Sequence, residues 1–167
     1  MINEIVKMNI GIDFHDTLSH APDFFKNILS SWPGKAFIVT GTPLSKIDEI
    51  RNDLSNIGFH DGMYHEILCG FEYEKSEMTL DHFYKMAEHK AKLIKAYDIQ
   101  VFFDDNPFYV NALKDRGVKV FQTILGQKYL DDFKKADPFF TCNLQVEQFS
   151  YLEKLENETM VKKKSED

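Results

Sequence analysis

Apolar and polar positions alternate in blocks along the chain, and the blocks change period. Asn9 to Phe14 is a short apolar run closing in an acidic turn, as in a buried strand whose carboxyl end meets solvent. Pro22 to Trp32 sets Phe24, Phe25, Ile28 and Leu29 at helical spacing before Pro33-Gly34 stops the helix. Ala36 to Thr40 predicts a second strand. Thr42-Pro43 then reads as an N-cap followed by proline at the first helical position, with Leu44, Ile47, Ile50, Leu54 and Ile57 forming one apolar stripe before Gly58. Glu66 to Phe71 predicts a third strand. Leu80 to Tyr97 predicts a helix, broken near Glu88, with Leu80, Phe83, Ala87, Ala91 and Ile94 facing inward. Val101-Phe102-Phe103 is a fourth strand closed by Asp104-Asp105. Asn106-Pro107 opens another helix, Gly117 ends it, and Val118 to Phe121 is a fifth strand.

Strands alternating with helices predict an α/β fold: a three-layer α/β/α, Rossmann-like parallel sheet whose ligands sit beyond the carboxyl ends of the strands. One domain is expected over residues 1–155, its last packed segment carrying Phe139, Phe140, Leu144, Val146, Phe149, Tyr151 and Leu152. Residues 156–167, ending Lys162-Lys163-Lys164-Ser165-Glu166-Asp167, read as a charged, flexible tail.

Composition narrows the function classes. A 43% hydrophobic content with 15 Phe and 7 Tyr excludes wholesale disorder. With 20 basic against 27 acidic residues the net charge is −7, so no overall positive field holds a phosphate polymer, and any nucleic-acid contact is local. Cys69 and Cys142 lack the paired spacing of a zinc site and read as buried free thiols. No apolar run approaches the ~20 residues that span a bilayer, and the first residues carry Glu4 without a long apolar core, so a cytoplasmic protein without membrane contact is expected.

Three predicted strands end in polar residues on one edge: Asp13-Phe14-His15-Asp16-Thr17, Thr40-Gly41-Thr42 and Asp104-Asp105-Asn106. Clustered carboxylate oxygens suit Mg²⁺, which keeps waters that a phosphate-bearing substrate can displace. Thr40 and the backbone N–H groups opening the next helix offer donors to phosphate oxygens. A lysine on the Leu80–Tyr97 helix offers a balancing charge. Each feature also has a plainer meaning: Asp104-Asp105 as a solvated turn before a helix, Thr40 as a cap, the lysine as a solvated face. His20, His60, His65, His82 and His89 have no companions at metal spacing, although His82 and His89 share a helical face.

The order of these residues resembles the haloacid dehalogenase (HAD) superfamily, whose usual members are Mg²⁺-dependent phosphohydrolases with an aspartate nucleophile. The first motif, a strand followed by Asp-x-Asp-x-Thr, is similar to Ile10-Gly11-Ile12-Asp13-Phe14-His15-Asp16-Thr17-Leu18, and the second to Phe37-Ile38-Val39-Thr40-Gly41. The fourth is similar to Val101-Phe102-Phe103-Asp104-Asp105. The third is a single lysine, Lys90 or else Lys92. The resemblance implies that Asp13 attacks phosphorus to form an aspartyl-phosphate and that Asp13, the backbone carbonyl of His15 and Asp104 hold Mg²⁺, with Asp105 holding the metal or its water. It further implies that Thr40, Gly41 and Lys90 bind the transferring phosphoryl group.

His15 departs from the family pattern, since it stands where the family has its second aspartate, the general acid and base. Histidine can carry out that work near neutral pH. Asp16 is a poorer stand-in, because in extended chain residues 13 and 15 project to one side and 14 and 16 to the other. Only residues 19–36 separate Leu18 from Phe37, too few for a large lid, so an open site is expected. Such a site suits a bulky phosphate, namely a nucleotide as in a nucleotidase, a nucleic-acid end, or a protein. The stretch from His60 to Asp81, with Tyr64, Phe71 and Tyr73, offers partial cover, its aromatics being core residues more often than base-stacking ones. The alternative function is a HAD-like phosphate-binding or regulatory protein whose proton relay is broken at His15. A phosphorelay receiver has its acidic pair on the first strand, the reverse of this order, and a dinucleotide-binding domain needs a G-x-G-x-x-G that is absent.

Overall fold

The computed structural model describes residues 7–73 and 80–124. Its element order is β1 (Asn9–Ile12), α1 (Pro22–Ser30), β2 (Ala36–Val39), α2 (Ile47–Asn56), β3 (Glu66–Leu68), α3 (Leu80–Ala96), β4 (Ile99–Asp104), α4 (Pro107–Leu113) and β5 (Lys119–Gln122). The strands form one sheet of order β3-β2-β1-β4-β5, and every described pairing is parallel. Parallel neighbours need crossovers, and the helices supply them. Alternate side chains go to opposite faces: Ile10, Ile12, Ile38 and Val101 pack with Phe25 of α1 and Ile50 and Leu54 of α2, while Phe37, Val39 and Phe102 pack with Phe83, Ala87 and Ile94 of α3 and Leu113 of α4. The result is the expected three-layer α/β/α architecture.

Strand order turns at β1. From it the chain runs outward through β2 and β3, then returns to the other side for β4 and β5. In open α/β sheets the crevice at such a switch point is where ligands bind. Here the central pair is in close contact, because Gly11 has no side chain and a Cβ there would lie 2.9 Å from the Phe102 ring. Ile12 is registered with Phe103, so Asp13 and Asp104 follow side by side at the carboxyl ends of β1 and β4.

Several boundaries differ from the sequence reading. The first strand stops at Ile12, and the chain coils so that the Leu18 N–H donates to the Asp13 carbonyl (3.1 Å) and the Ser19 N–H to that of Phe14 (3.0 Å). The helix expected from Pro43 begins instead with a 3₁₀ turn over Leu44–Lys46, and the α-helix itself starts at Ile47. Thr42 makes no cap, and Leu44 is 60% exposed, outside the stripe that Ile50 and Leu54 bury. The third strand ends at Leu68, before Gly70, whose φ of +107° turns the chain away. Helix α3 is unbroken at Glu88: it contains neither Gly nor Pro, and Glu88 pairs on the surface with Arg116 of the turn after α4. The Asn106-Pro107 start is as expected, Asn106 Oδ1 accepting from the Phe108 N–H at 2.9 Å.

Residues 19–36 hold α1 and its flanking turns and no inserted unit. Phe71 and Tyr73 pack against the α3 side of the core and Tyr64 against the α1 and α2 side. Cys69 is a free thiol, half-buried rather than buried. Among the described residues no helix is long and apolar enough to cross a membrane. The expected packed segment after Ala136, Cys142 and the tail over 156–167 lie outside the described residues.

Candidate active site at the carboxyl edge of the sheet

The ends of β1 and β4 deliver three carboxyl groups to one place. One oxygen from each of Asp13, Asp104 and Asp105 falls within a set whose members are all within 4.8 Å of one another, and all three residues are buried. Helix α3 contributes Lys90, 1% exposed, whose Nζ lies 2.8 Å from Asp13 Oδ1 and 2.6 Å from Asp104 Oδ2. Of the two candidate lysines, Lys90 thus reaches the edge, and Lys92 is exposed. Two further bonds orient Asp104 and Asp105. The Asn106 N–H donates to Asp104 Oδ1 at 2.9 Å, and Thr17 Oγ1 donates to Asp105 Oδ1 at 3.3 Å.

Asp16 is also buried here, and its charge acts on Asp13, against the expectation that it projects to the opposite side. That expectation assumed extended chain, whereas the strand has already ended and Asp16 adopts φ 58°, ψ 1°. Aspartate is among the few residues with a side chain that tolerate this left-handed conformation. Asp16 is buried, and its charge acts on Asp13, Asp105 and His15. The signal available in the sequence was the polar His15-Asp16-Thr17 run directly after a strand, which marks a turn rather than more strand.

His15 itself is exposed, its ring edge-on to Phe14 at 4.9 Å. Crowding by surrounding atoms moves its pKa below the usual 6.5, the Asp16 carboxylate opposing and Lys90 assisting. Contact with water limits how far that desolvation acts. Thr40 is buried at the end of β2, and its hydroxyl shares a 2.8 Å hydrogen bond with that of Thr42. The following N–H groups are not all open as anticipated, because Leu44 N–H donates to Glu72 Oε1 at 3.0 Å. Gly41 lets the Met86 thioether lie against the backbone, where a Cβ would overlap the sulfur.

Electrostatically the site carries surplus negative charge: three clustered carboxyl groups share one ammonium, and the charge of Asp16 adds to theirs at Asp13 and Asp105. Burial, reinforced by neighbouring carboxylates, pushes Asp104 up to about 7, raises Asp13, and raises Asp105 well above its usual range. Burial works against the charge on Lys90, but Asp104 and Asp13 together outweigh it and hold the ammonium protonated. Buried oxygen donors that resist ionisation for want of positive charge fit a hard divalent cation. The Asp13, Asp104 and Asp105 trio can therefore hold a metal.

This imbalance has a measurable consequence. Carboxyls whose pKa is raised by folding bind protons more tightly in the folded state, so stability is present at low pH and falls as pH rises from about 4 to about 7, on the order of 1.4 kcal/mol per pH unit for each proton so held. In EDTA, urea unfolding of the wild type across this window should show the loss, Asp105→Asn should reduce it, and Mg²⁺ should flatten it for the wild type alone. An Asp105→Asn protein stabilised by Mg²⁺ as strongly as wild type would remove Asp105 from the metal set.

Neither a protein-family model nor a curated protein matches the sequence. Among solved structures, an uncharacterised protein from Corynebacterium glutamicum is 15% identical with a TM-score of 0.45, covering 77% of this chain and 93% of that one. The core domain of a candidate phosphoglycolate phosphatase from Streptococcus pneumoniae is 14% identical with a TM-score of 0.45, over 78% and 97% of the two chains. The L-2-haloacid dehalogenase of Xanthobacter autotrophicus, with chloropropionic acid covalently bound, is 16% identical with a TM-score of 0.43, over 79% of this chain and 49% of its own.

Proposed function

We propose that the protein is a Mg²⁺-dependent phosphomonoester hydrolase of HAD type, acting through an aspartyl-phosphate on Asp13. The observation that carries this reading is Lys90, which bridges Asp13 and Asp104 beside Asp105 at the switch point of the sheet. A buried ammonium among carboxylates is suited to gripping a phosphoryl group whose charge must be neutralised for an anionic nucleophile to approach. Mg²⁺, held by Asp13, Asp104, Asp105 and the His15 carbonyl, would supply the further positive charge that phosphoryl transfer requires.

In this scheme an Asp13 oxygen attacks phosphorus, the bond to the ester oxygen breaks, and that oxygen takes a proton from His15. Water then attacks the acyl phosphate, gives its proton to His15, and releases phosphate with Asp13 restored. Because the Thr40 and Thr42 hydroxyls share one bond, one of their two protons is spare for a phosphate oxygen, and the Gly41 N–H adjoins them. An open edge, with only α1 and its turns between β1 and β2, favours a bulky substrate such as a nucleotide or nucleic-acid end.

The test is release of inorganic phosphate from a panel of nucleotides and simple phosphomonoesters. Release that needs Mg²⁺ and stops with EDTA is expected, and a panel without turnover would leave the second reading, a phosphate-binding protein. That reading is favoured by His15 in the acid–base position. If His15 transfers protons, His15→Ala should lower turnover of an alkyl phosphate by ~10²–10⁴-fold and hardly affect one with a good leaving group. Since the imidazole pKa lies below its usual value, wild-type turnover of the alkyl ester should rise as pH falls below neutrality, and His15→Ala should lack that rise. If His15 is a lesion, His15→Asp should instead exceed wild type.

A further inference from the structure

The charged cluster rests on an aromatic wall. Lys90 Nζ lies 4.4 Å from the centre of the Tyr109 ring and 5.7 Å from that of Phe102, both within the ~6 Å over which a ring face attracts a cation. Tyr109 is 8% exposed and Lys90 1%, so water contributes little screening between them. The two residues come from different helices. Tyr109 stands on α4, which begins directly after Asp104-Asp105, and the strand end that presents the carboxylates therefore also sets the ring. Helix α4 is docked on α3 by the stack of Phe83 on Phe108, with centroids 5.1 Å apart and planes 10° apart.

We propose that Tyr109 is a positioning residue, whose ring face holds the Lys90 ammonium at the strand ends when Lys90 exchanges Asp13 for a phosphate oxygen. The inference rests on the phosphatase reading for its catalytic consequence and on the ring geometry for its physical one. A lysine side chain has four rotatable bonds and several positions for its head group. Two carboxylates fix it in the resting protein, but one of them must become the nucleophile. From that moment Asp104 and the ring are what keep the ammonium beside phosphorus. A ring attracts the cation without accepting its proton or its charge, so it does not compete with the phosphoryl group as a third carboxylate would.

The experiment varies the ring's electrostatics at constant shape. Full-length protein carrying phenylalanine, or phenylalanines with increasing numbers of ring fluorines, at position 109 is compared with Tyr109→Leu. Hydrolysis of p-nitrophenyl phosphate with Mg²⁺ is measured, together with the ¹H–¹⁵N signal and proton-exchange rate of the Lys90 ammonium. Tyr109→Phe should stay near wild type, while full fluorination and Tyr109→Leu should each lower kcat/KM by ~10-fold and speed Lys90 proton exchange by a similar factor, with intermediate fluorination between them. Equal kcat/KM and exchange in the phenylalanine and fully fluorinated proteins would overturn the proposal. So would a loss in Tyr109→Phe as large as in Tyr109→Leu, which would assign the effect to the hydroxyl. If no variant, wild type included, hydrolyses the ester, the phosphatase reading fails by itself, and Lys90 exchange alone decides whether the ring holds the ammonium. The phenylalanine and fluorinated proteins differ little in ring size, so their comparison does not depend on Tyr109→Leu folding.

Discussion

Asp13→Asn is expected to abolish phosphate release, by about 10⁴-fold or more, and at the same time to make the metal-free protein more stable. The two effects have separate causes. The amide of asparagine is a poor nucleophile for phosphorus and a weaker metal ligand than a carboxylate, so both the covalent step and the metal suffer. Its carbonyl oxygen can still accept the 2.8 Å hydrogen bond from Lys90, and the substitution removes one buried charge that Asp16, Asp104 and Asp105 all oppose. Phosphate release and urea denaturation in EDTA, measured on the same preparation, check both halves. Turnover within tenfold of wild type would place the nucleophile elsewhere. A protein that is both inactive and destabilised would show only that the edge had collapsed.

Lys90→Met should act in the opposite direction on the fold, at a cost of about 3–5 kcal/mol, because it leaves a buried set of carboxylates without the cation that contacts two of them. Methionine is unbranched like lysine, one atom shorter and without the ammonium, which keeps the change mainly to the charge. The loss should be smaller at acidic pH, where the carboxyls protonate, and Mg²⁺ should recover part of it at neutral pH by supplying positive charge to the same oxygens. Urea unfolding at about pH 5 and about pH 7, with and without Mg²⁺, distinguishes this from a packing defect. A loss independent of both pH and Mg²⁺ would mean that Lys90 matters as core volume rather than as charge.

Lys90 also illustrates which parts of the site could be read from the chain. Along α3, Phe83, Ala87 and Ile94 form the buried stripe, and Lys90 falls on the same face between Ala87 and Ile94, whereas Lys92 is turned outward. A lysine on an apolar face must find anions there, and the periodicity contained that choice although the motif left two candidates open. The strands of the central pair were equally plain, since a buried parallel strand needs a run of apolar residues and ends where polar ones begin. What periodicity did not contain was backbone conformation after the strand ends. The left-handed Asp16 redirects a carboxylate inward, and the 3₁₀ turn at Leu44–Lys46 delays a helix past its proline. In both places tertiary contacts select among conformations that the local sequence allows nearly equally. The Glu72 bond to Leu44 N–H is of the same kind: residues 28 positions apart meet only once β2 and β3 have paired.

The return of the chain at β1 divides the site between two halves of the fold, with a consequence for its assembly. The unit β1–α1–β2–α2–β3 carries Asp13, Asp16 and Thr40, the unit β4–α4–β5 carries Asp104, Asp105 and Tyr109, and Lys90 lies on the helix between them. Each unit pairs neighbours in sequence, so its loops close at low entropic cost, while the β1–β4 seam joins partners as far apart as Asn9 and Gln100, separated by 91 positions. Neither half alone possesses the three-carboxylate set. A metal held by that set would thus be captured only after the seam closes, and it would slow the unfolding of the finished molecule rather than change the rate at which the two halves find each other.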